Sequence, residues 1–153
     1  MADEKRQAII EGLIKSYWME METIQNYLAI SIDLDGVRAE EIKTALAADV
    51  QEELTHAQRL ANRIKEIGGR IPGSLEFKPD QQSLQPPEDS TDVVSAIRGV
   101  IDAEDGAIAQ YNKVIRLCEG FDYVTQDLCI QLLAAEESHR RQFVGFLKEY
   151  EKR

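Results

Sequence analysis

Two short segments of this sequence repeat one chemical pattern: Glu53-Leu54-Thr55-His56 and Glu136-Glu137-Ser138-His139. His56 and His139 are the two histidines of the chain, and each has a glutamate three residues before it. On an α-helix, positions three apart share a face, so each segment presents a carboxylate and an imidazole side by side. Such a pair is costly to bury without a partner. One segment alone reads most simply as a buried histidine satisfied by its own glutamate. The repetition argues instead for an oxygen and a nitrogen offered twice to metal ions.

A second repeat supports the first. Glu20 is followed by Tyr27 and Glu104 by Tyr111, seven residues on in both cases. Seven residues are close to two helical turns, so each tyrosine shares its glutamate's face. Glu20 precedes Glu53 by 33 residues and Glu104 precedes Glu136 by 32. The order glutamate, tyrosine, Glu-x-x-His therefore occurs twice. Glu22, Asp102 and Asp105 fall on other faces and read as solvated.

Four glutamates and two neutral histidines would carry about four negative charges, which two divalent cations would neutralise. Carboxylate with imidazole suits iron, with manganese also permitted, and the absence of thiolate ligands argues against structural zinc.

Positioning these groups requires four long helices. Apolar residues recur at helical spacing over about 5–32, 37–67, 91–119 and 123–149. Asp33-Leu34-Asp35-Gly36 and Gly120-Phe121-Asp122 break the pattern as turns, and Gly68-Gly69 ends the second helix. Asp89, Ser90 or Thr91 can cap the third helix. All four prolines lie between Gly68 and Thr91, which marks a crossover over about 68–90. The expected fold is all-α, one domain over 1–153, with two antiparallel hairpins joined by a long crossover. The midpoint of Glu20 and Glu53 falls beside Gly36, and that of Glu104 and Glu136 at Gly120. Each glutamate pair should therefore sit level across its hairpin. The expected inward seams are Ile42, Leu46, Val50, Glu53, His56, Leu60, Ile64 and Ile67 on the second helix. On the third they are Ile97, Ile101, Glu104, Ile108, Tyr111, Ile115 and Cys118. On the fourth they are Cys129, Leu132, Glu136, His139, Phe143 and Phe146.

This constellation resembles the ferritin-like superfamily of di-iron carboxylate proteins, and within it the bacterioferritins and bacterioferritin-like Dps relatives. The superfamily draws one glutamate from each of two helices and Glu-x-x-His from each of the other two. The resemblance spans Ile10 to Leu147. It implies a ferritin-like four-helix bundle in which Glu53 and Glu136 bridge two iron ions per chain. Glu20 with His56 would complete one iron, and Glu104 with His139 the other. Tyr27 would hydrogen-bond a ligand carboxylate, and Tyr111 would do likewise across the pseudo-twofold axis. The implied activity is a ferroxidase that oxidises Fe(II) with dioxygen or peroxide, with iron storage and detoxification in an oligomeric shell. The alternative is a non-storage di-metal enzyme, a peroxidase or a dimanganese catalase-like protein.

Departures from the relatives sharpen the expectation. Bacterioferritins hold haem through a methionine directly after the first bridging glutamate; Leu54 stands there, so haem is not expected. Only 14 residues follow His139, too few for the fifth helix of twenty-four-subunit ferritin cages. Two cysteines cannot build the rubredoxin-like site of rubrerythrins, and Ala107 stands where those proteins place an extra glutamate.

The net charge of −10 tells against DNA binding, which needs basic patches to displace counterions. Met1-Ala2-Asp3-Glu4-Lys5-Arg6 does not resemble a basic Dps tail. No apolar run approaches the ~18–20 residues needed to cross a bilayer. The first twenty residues hold no cleavable apolar core, so a cytoplasmic location is expected. Cys118 and Cys129 read as small buried residues, and a disulfide between them looks strained. Tyr17, Trp18, Met21 and Leu28 cannot all join the seam of Glu20, Ile24 and Tyr27. Some of that apolar surface should face a second copy, in a closed homo-oligomer with a dodecamer favoured.

Overall fold

The computed structural model describes residues 2–152. Among them are four long helices and no strand: α1 (Ala2–Asp33), α2 (Glu40–Glu66), α3 (Val93–Cys118) and α4 (Tyr123–Tyr150). α1 packs along α2 and α3 along α4, with a further contact between α1 and α3. The chain is a four-helix bundle of two antiparallel hairpins.

The helix ends follow from local chemistry. A 3₁₀ turn over Val37–Ala39 leads into α2, and Gly36 ahead of it takes a φ of 100°, which an L side chain would resist. α2 opens on Glu40 and Glu41 and closes with Arg63 and Lys65 in its last turn, both favourable to the helix dipole. The cap of α3 is Asp92, whose carboxylate accepts the Ser95 amide at 3.1 Å. Asp89, Ser90 and Thr91 do not cap it. Asp89 instead accepts the Thr91 amide at 2.9 Å and its hydroxyl at 2.7 Å, a local turn that delays the helix. Asp122 caps α4 through the Thr125 amide at 3.0 Å. Its carboxylate also binds Arg6 at 2.8 Å and Arg63 at 3.1 Å, tying α1 and α2 to the α3–α4 turn.

The crossover lies tightly on the bundle. A Cβ at Gly99 would stand 2.4 Å from the Ser83 carbonyl oxygen, so only glycine permits this approach. On the other side, Glu22 accepts the backbone amides of Asp80 at 3.1 Å and Gln81 at 2.8 Å. Glu22 is therefore buried and bonded rather than solvated, because its carboxylate satisfies two backbone amides of the crossover. Asp102 and Asp105 do lie outside, bonded to Ser83 and Arg140 respectively.

Two apolar clusters fill the bundle. One gathers Ile30, Leu34, Leu46, Ile97 and Phe143; the other gathers Leu13, Leu60, Ile64, Val114 and Leu132. The α3 seam differs from the heptad reading. Val100, Ala107 and Val114 are fully buried, whereas Ile101, Ile108 and Ile115 are half-buried. Both sets share the anchors Ile97, Glu104, Tyr111 and Cys118. α3 faces α1 as well as α4, and Val114 and Gln110 meet Gly12 there, which turns the buried side by one residue. On α2, Val50 and Ile67 are likewise half-buried, as is Phe146 on α4.

The outer surface of α1 is less bare than its sequence suggests. Trp18 stacks on Phe77 of the crossover with ring centroids 4.3 Å apart, so this chain covers it itself. Tyr17 and Met21 are half-buried. Leu28 and Ile32 remain exposed on α1, and Leu54 on α2. Cys118 and Cys129 are buried free thiols, and burial raises them to about 11 and about 12 respectively. No helix of the described residues is long and apolar enough to cross a membrane.

Candidate metal centre

Between the two apolar clusters lies a polar layer. Glu20 on α1, Glu53 and His56 on α2, Glu104 on α3, and Glu136 and His139 on α4 all meet there, each at least nine-tenths buried. Their ligand atoms form two groups. Glu20, Glu53, His56 and Glu136 make one; Glu53, Glu104, Glu136 and His139 make the other, each within 4.8 Å. Glu53 and Glu136 belong to both groups.

The imidazoles point one nitrogen inward. His56 Nδ1 lies 3.1 Å from Glu136, 3.3 Å from Glu20 and 3.6 Å from Glu53. His139 Nδ1 lies 3.3 Å from Glu53 and 4.0 Å from Glu136. The rings are nearly parallel, 6.5 Å apart. Tyr27 donates its hydroxyl proton to Glu104 at 2.5 Å. Tyr111 does not repeat this across the pseudo-twofold axis. Its buried hydroxyl has no hydrogen-bond partner among the described residues, and Glu20, the counterpart of Glu104, is turned to His56 instead.

Burial and mutual charge set the protonation. Burial alone would lower both histidines, but the surrounding carboxylates overcome it. Glu136 and Glu53 raise His56 to about 10. Glu53, Asp49, Glu104 and Glu52 raise His139 to about 9. Burial pushes Glu53 up, yet the two imidazoles hold it below the usual carboxylate range. Glu104 is raised well above that range by burial and by Glu136 and Glu53, against the Tyr27 hydrogen bond. Burial also raises Glu136, with Glu104 and His56 opposing. Crowded carboxylates thus hold protons that cations would replace.

The orphaned atoms show that the residues fit a metal. Both Glu53 oxygens, Glu104 Oε2 and His139 Nδ1 are buried without a hydrogen-bond partner. An unsatisfied buried polar group costs about 1–3 kcal/mol, and more when charged. Four such atoms in one layer, all oxygen or imidazole nitrogen, are what two divalent cations would satisfy.

Residues 10–152 match the ferritin-like domain family. This chain belongs to that family. It is 28% identical over 138 residues to a bacterioferritin from Desulfovibrio desulfuricans, covering 90% of this chain and 73% of the relative. It is 27% identical over 144 residues to a DNA protection during starvation protein from Pyrococcus furiosus, covering 92% and 77%. Solved structures share the fold. A ferritin-like di-iron carboxylate protein from Bacillus anthracis superposes with a TM-score of 0.83 at 20% identity, over 94% of this chain and 97% of that one. A dodecameric thioferritin, the bacterioferritin-related protein of Bacteroides fragilis, gives 0.82 at 23% identity over 98% and 91%.

Two acidic residues of this ferritin-like domain escape a reading by seam. Asp49 and Glu52 form a third group with His139. Glu52 lies 2.7 Å from His139 Nε2 and Asp49 3.6 Å from it. Asp49 is buried, and its Oδ2 has no hydrogen-bond partner. The signal was its spacing: Asp49 precedes Glu53 by four residues and so shares its face, while the seam was drawn through Val50.

Proposed function

We propose that this protein is a di-iron ferroxidase. The observation that carries the reading is the pair of buried ligand groups sharing Glu53 and Glu136. Glu20 with His56 would hold one ferrous ion and Glu104 with His139 the other, with manganese also acceptable to this donor set. A site of this kind fixes two ions roughly 3.5–4 Å apart and away from solvent.

The chemistry balances simply. Each of two ferrous ions gives up one electron. Dioxygen takes both with two protons and becomes hydrogen peroxide, or peroxide takes both with two protons and becomes water. The chain's own groups bind the substrate ions, exclude water through the flanking apolar clusters, and orient Glu104 through Tyr27. Glu104 and the imidazoles give up protons as the ions bind. Tyr111 stands at the edge of the same layer with an uncommitted hydroxyl.

We further propose that the ferric product is stored in a closed homo-oligomer, a dodecamer being favoured. Exposed Leu28, Ile32 and Leu54 offer apolar surface for a second copy. The dodecameric Bacteroides fragilis neighbour supports that size. Leu54 offers no thioether to haem iron. With a net charge of −10, DNA is not a partner on this reading.

Adding Fe²⁺ in air to purified protein tests the proposal. A fast ferric absorbance phase should appear, and Glu53→Ala or Glu136→Ala should remove it, because a lost bridge separates the ions. An unaffected fast phase would rule out the centre as drawn. Fast oxidation by protein whose scattering mass is one or two chains would favour the non-storage di-metal enzyme, peroxidase or dimanganese catalase-like, over storage.

A further inference from the structure

On the α1–α3 side of the bundle, beside the crossover, lies a hollow of about 510 Å³. Met19 of α1, Ala103 and Gly106 of α3 and Leu84 of the crossover line its apolar part. Met19 and Gly106 face each other across the seam between α1 and α3, since a Cβ on Gly106 would meet the Met19 methyl at 3.5 Å. Met19 immediately precedes Glu20, and Ala103 immediately precedes Glu104. Successive residues on a helix point about 100° apart. On each helix, then, one residue lines the hollow and the next reaches the metal layer. The Tyr27–Glu104 hydrogen bond crosses the same seam. Glu20 and Glu104 are only 2% and 1% exposed, so the seam is shut behind the hollow. α3 is slim there, with Ala103 and Gly106, and half-buried Met19 supplies the cover from α1.

We propose that this hollow takes the oxidant, a neutral molecule the size of dioxygen or hydrogen peroxide, and passes it to the metal layer when the Met19 side chain swings aside. The inference rests on the ferroxidase reading above and names where its second substrate enters. Charge decides between the two substrates. The hollow carries two lysines, Lys15 and Lys113, and two aspartates, Asp80 and Asp102. It is therefore neutral on a chain of net charge −10 and does not gather cations. The acidic approach lies elsewhere, where Asp49 and Glu52 stand beside His139. Methionine suits the gate, because its unbranched thioether side chain changes shape readily. An oxidant passing this seam comes first to Glu104 and to the Tyr27 hydroxyl that donates to it.

Peroxides of different size test the route. Hydrogen peroxide or tert-butyl hydroperoxide takes one electron from each of two ferrous ions with two protons, leaving water, or water and the alcohol. Iron-loaded wild type should react faster with hydrogen peroxide, since a passage too narrow for added methyl groups discriminates by about 10-fold or more. Met19→Ala should shrink that ratio by speeding the bulky peroxide. Gly106→Phe, whose ring has room in the hollow, should slow both peroxides and widen the ratio. Anaerobic Zn²⁺ affinity should match wild type in both variants. A second readout needs no turnover: ¹³C-methyl labelling of the three methionines in zinc-loaded protein. Dissolved dioxygen should relax the Met19 methyl more than that of Met21, and Gly106→Phe should remove the excess. If Gly106→Phe does not fold, Met19→Ala decides alone. A peroxide ratio unaltered in the folded variants would overturn the route and leave the di-metal reading intact. Slower Zn²⁺ uptake by Gly106→Phe with an unaltered ratio would also overturn it, and make the hollow the metal's entrance. Failure of the wild type to bind metal or to oxidise Fe²⁺ would overturn the ferroxidase reading as well.

Discussion

The Tyr27 hydroxyl donates to Glu104 Oε1 at 2.5 Å in the buried heart of the bundle, bringing α1 to α3 at the level of the candidate metal layer. Glu104 is already raised well above the usual carboxylate range by burial and its acidic neighbours, and this bond is what opposes the rise. Tyr27→Phe should therefore leave Glu104 more firmly protonated and a poorer ligand. Loss of a partner behind a metal ligand weakens binding by about 10- to 100-fold. Titration with Fe²⁺ under anaerobic conditions should show that loss in one of the two ions, growing as the pH falls. Equal affinities for wild type and Tyr27→Phe would show that the bond does not tune Glu104.

The histidines make the metal-free protein depend on pH in a definite direction. His56 is raised to about 10 and His139 to about 9, against an unfolded value of about 6.5. A raised folded pKa gives stability that is fully present below about pH 6.5 and is lost as pH climbs through about 9 to about 10. Burial of Glu104 and Glu136 acts in the same direction, since deprotonating them in the fold is costly. The melting temperature of metal-free protein should thus fall from about pH 6.5 to about pH 9. Metal binding runs the opposite way, because protons must leave both imidazoles, and affinity should rise with pH. Calorimetry in two buffers of different ionisation enthalpy should detect a net release of protons from both imidazoles and Glu104 as the chain is loaded near neutrality. A metal-free melting temperature that rises over this interval would contradict the ion pairing.

Gly99 tests how the crossover is held. Gly99→Ala places a methyl group 2.4 Å from the Ser83 carbonyl oxygen, which is backbone and cannot swing aside. Overpacking of this kind costs about 1–3 kcal/mol. Chemical denaturation should show that loss, whereas Gly106→Ala should be tolerated, since its Cβ would meet only the tip of Met19 at 3.5 Å.

Much of this molecule was readable from residue spacing. The repeated Glu-x-x-His and the glutamate–tyrosine pairs pointed to six residues whose side chains the structure brings together, because groups that share a helix face obey helical periodicity and hairpin level. What escaped is what periodicity does not encode. Ile101 and Val100 differ by one position in a seam, and the choice between them depends on α1 and the crossover packing against α3. Glu22 looked like a surface charge until the crossover amides at Asp80 and Gln81 came to meet it. Trp18 looked free until Phe77 stacked on it. Glu52 is half-exposed and lies off the seam, so its position beside His139 emerges only when α2 and α4 are packed. In each case the missing information was a contact between segments distant in sequence.

Two metal ions are expected to sit between Glu53 and Glu136. Anomalous diffraction at the iron edge, on crystals loaded with Fe²⁺ without oxygen, measures this directly. Two peaks per chain are expected about 3.5–4 Å apart, one beside Glu20 and His56 and the other beside Glu104 and His139. No peak in the polar layer, or a single ion held only by Asp49 and Glu52, would contradict a di-metal centre at Glu53 and Glu136.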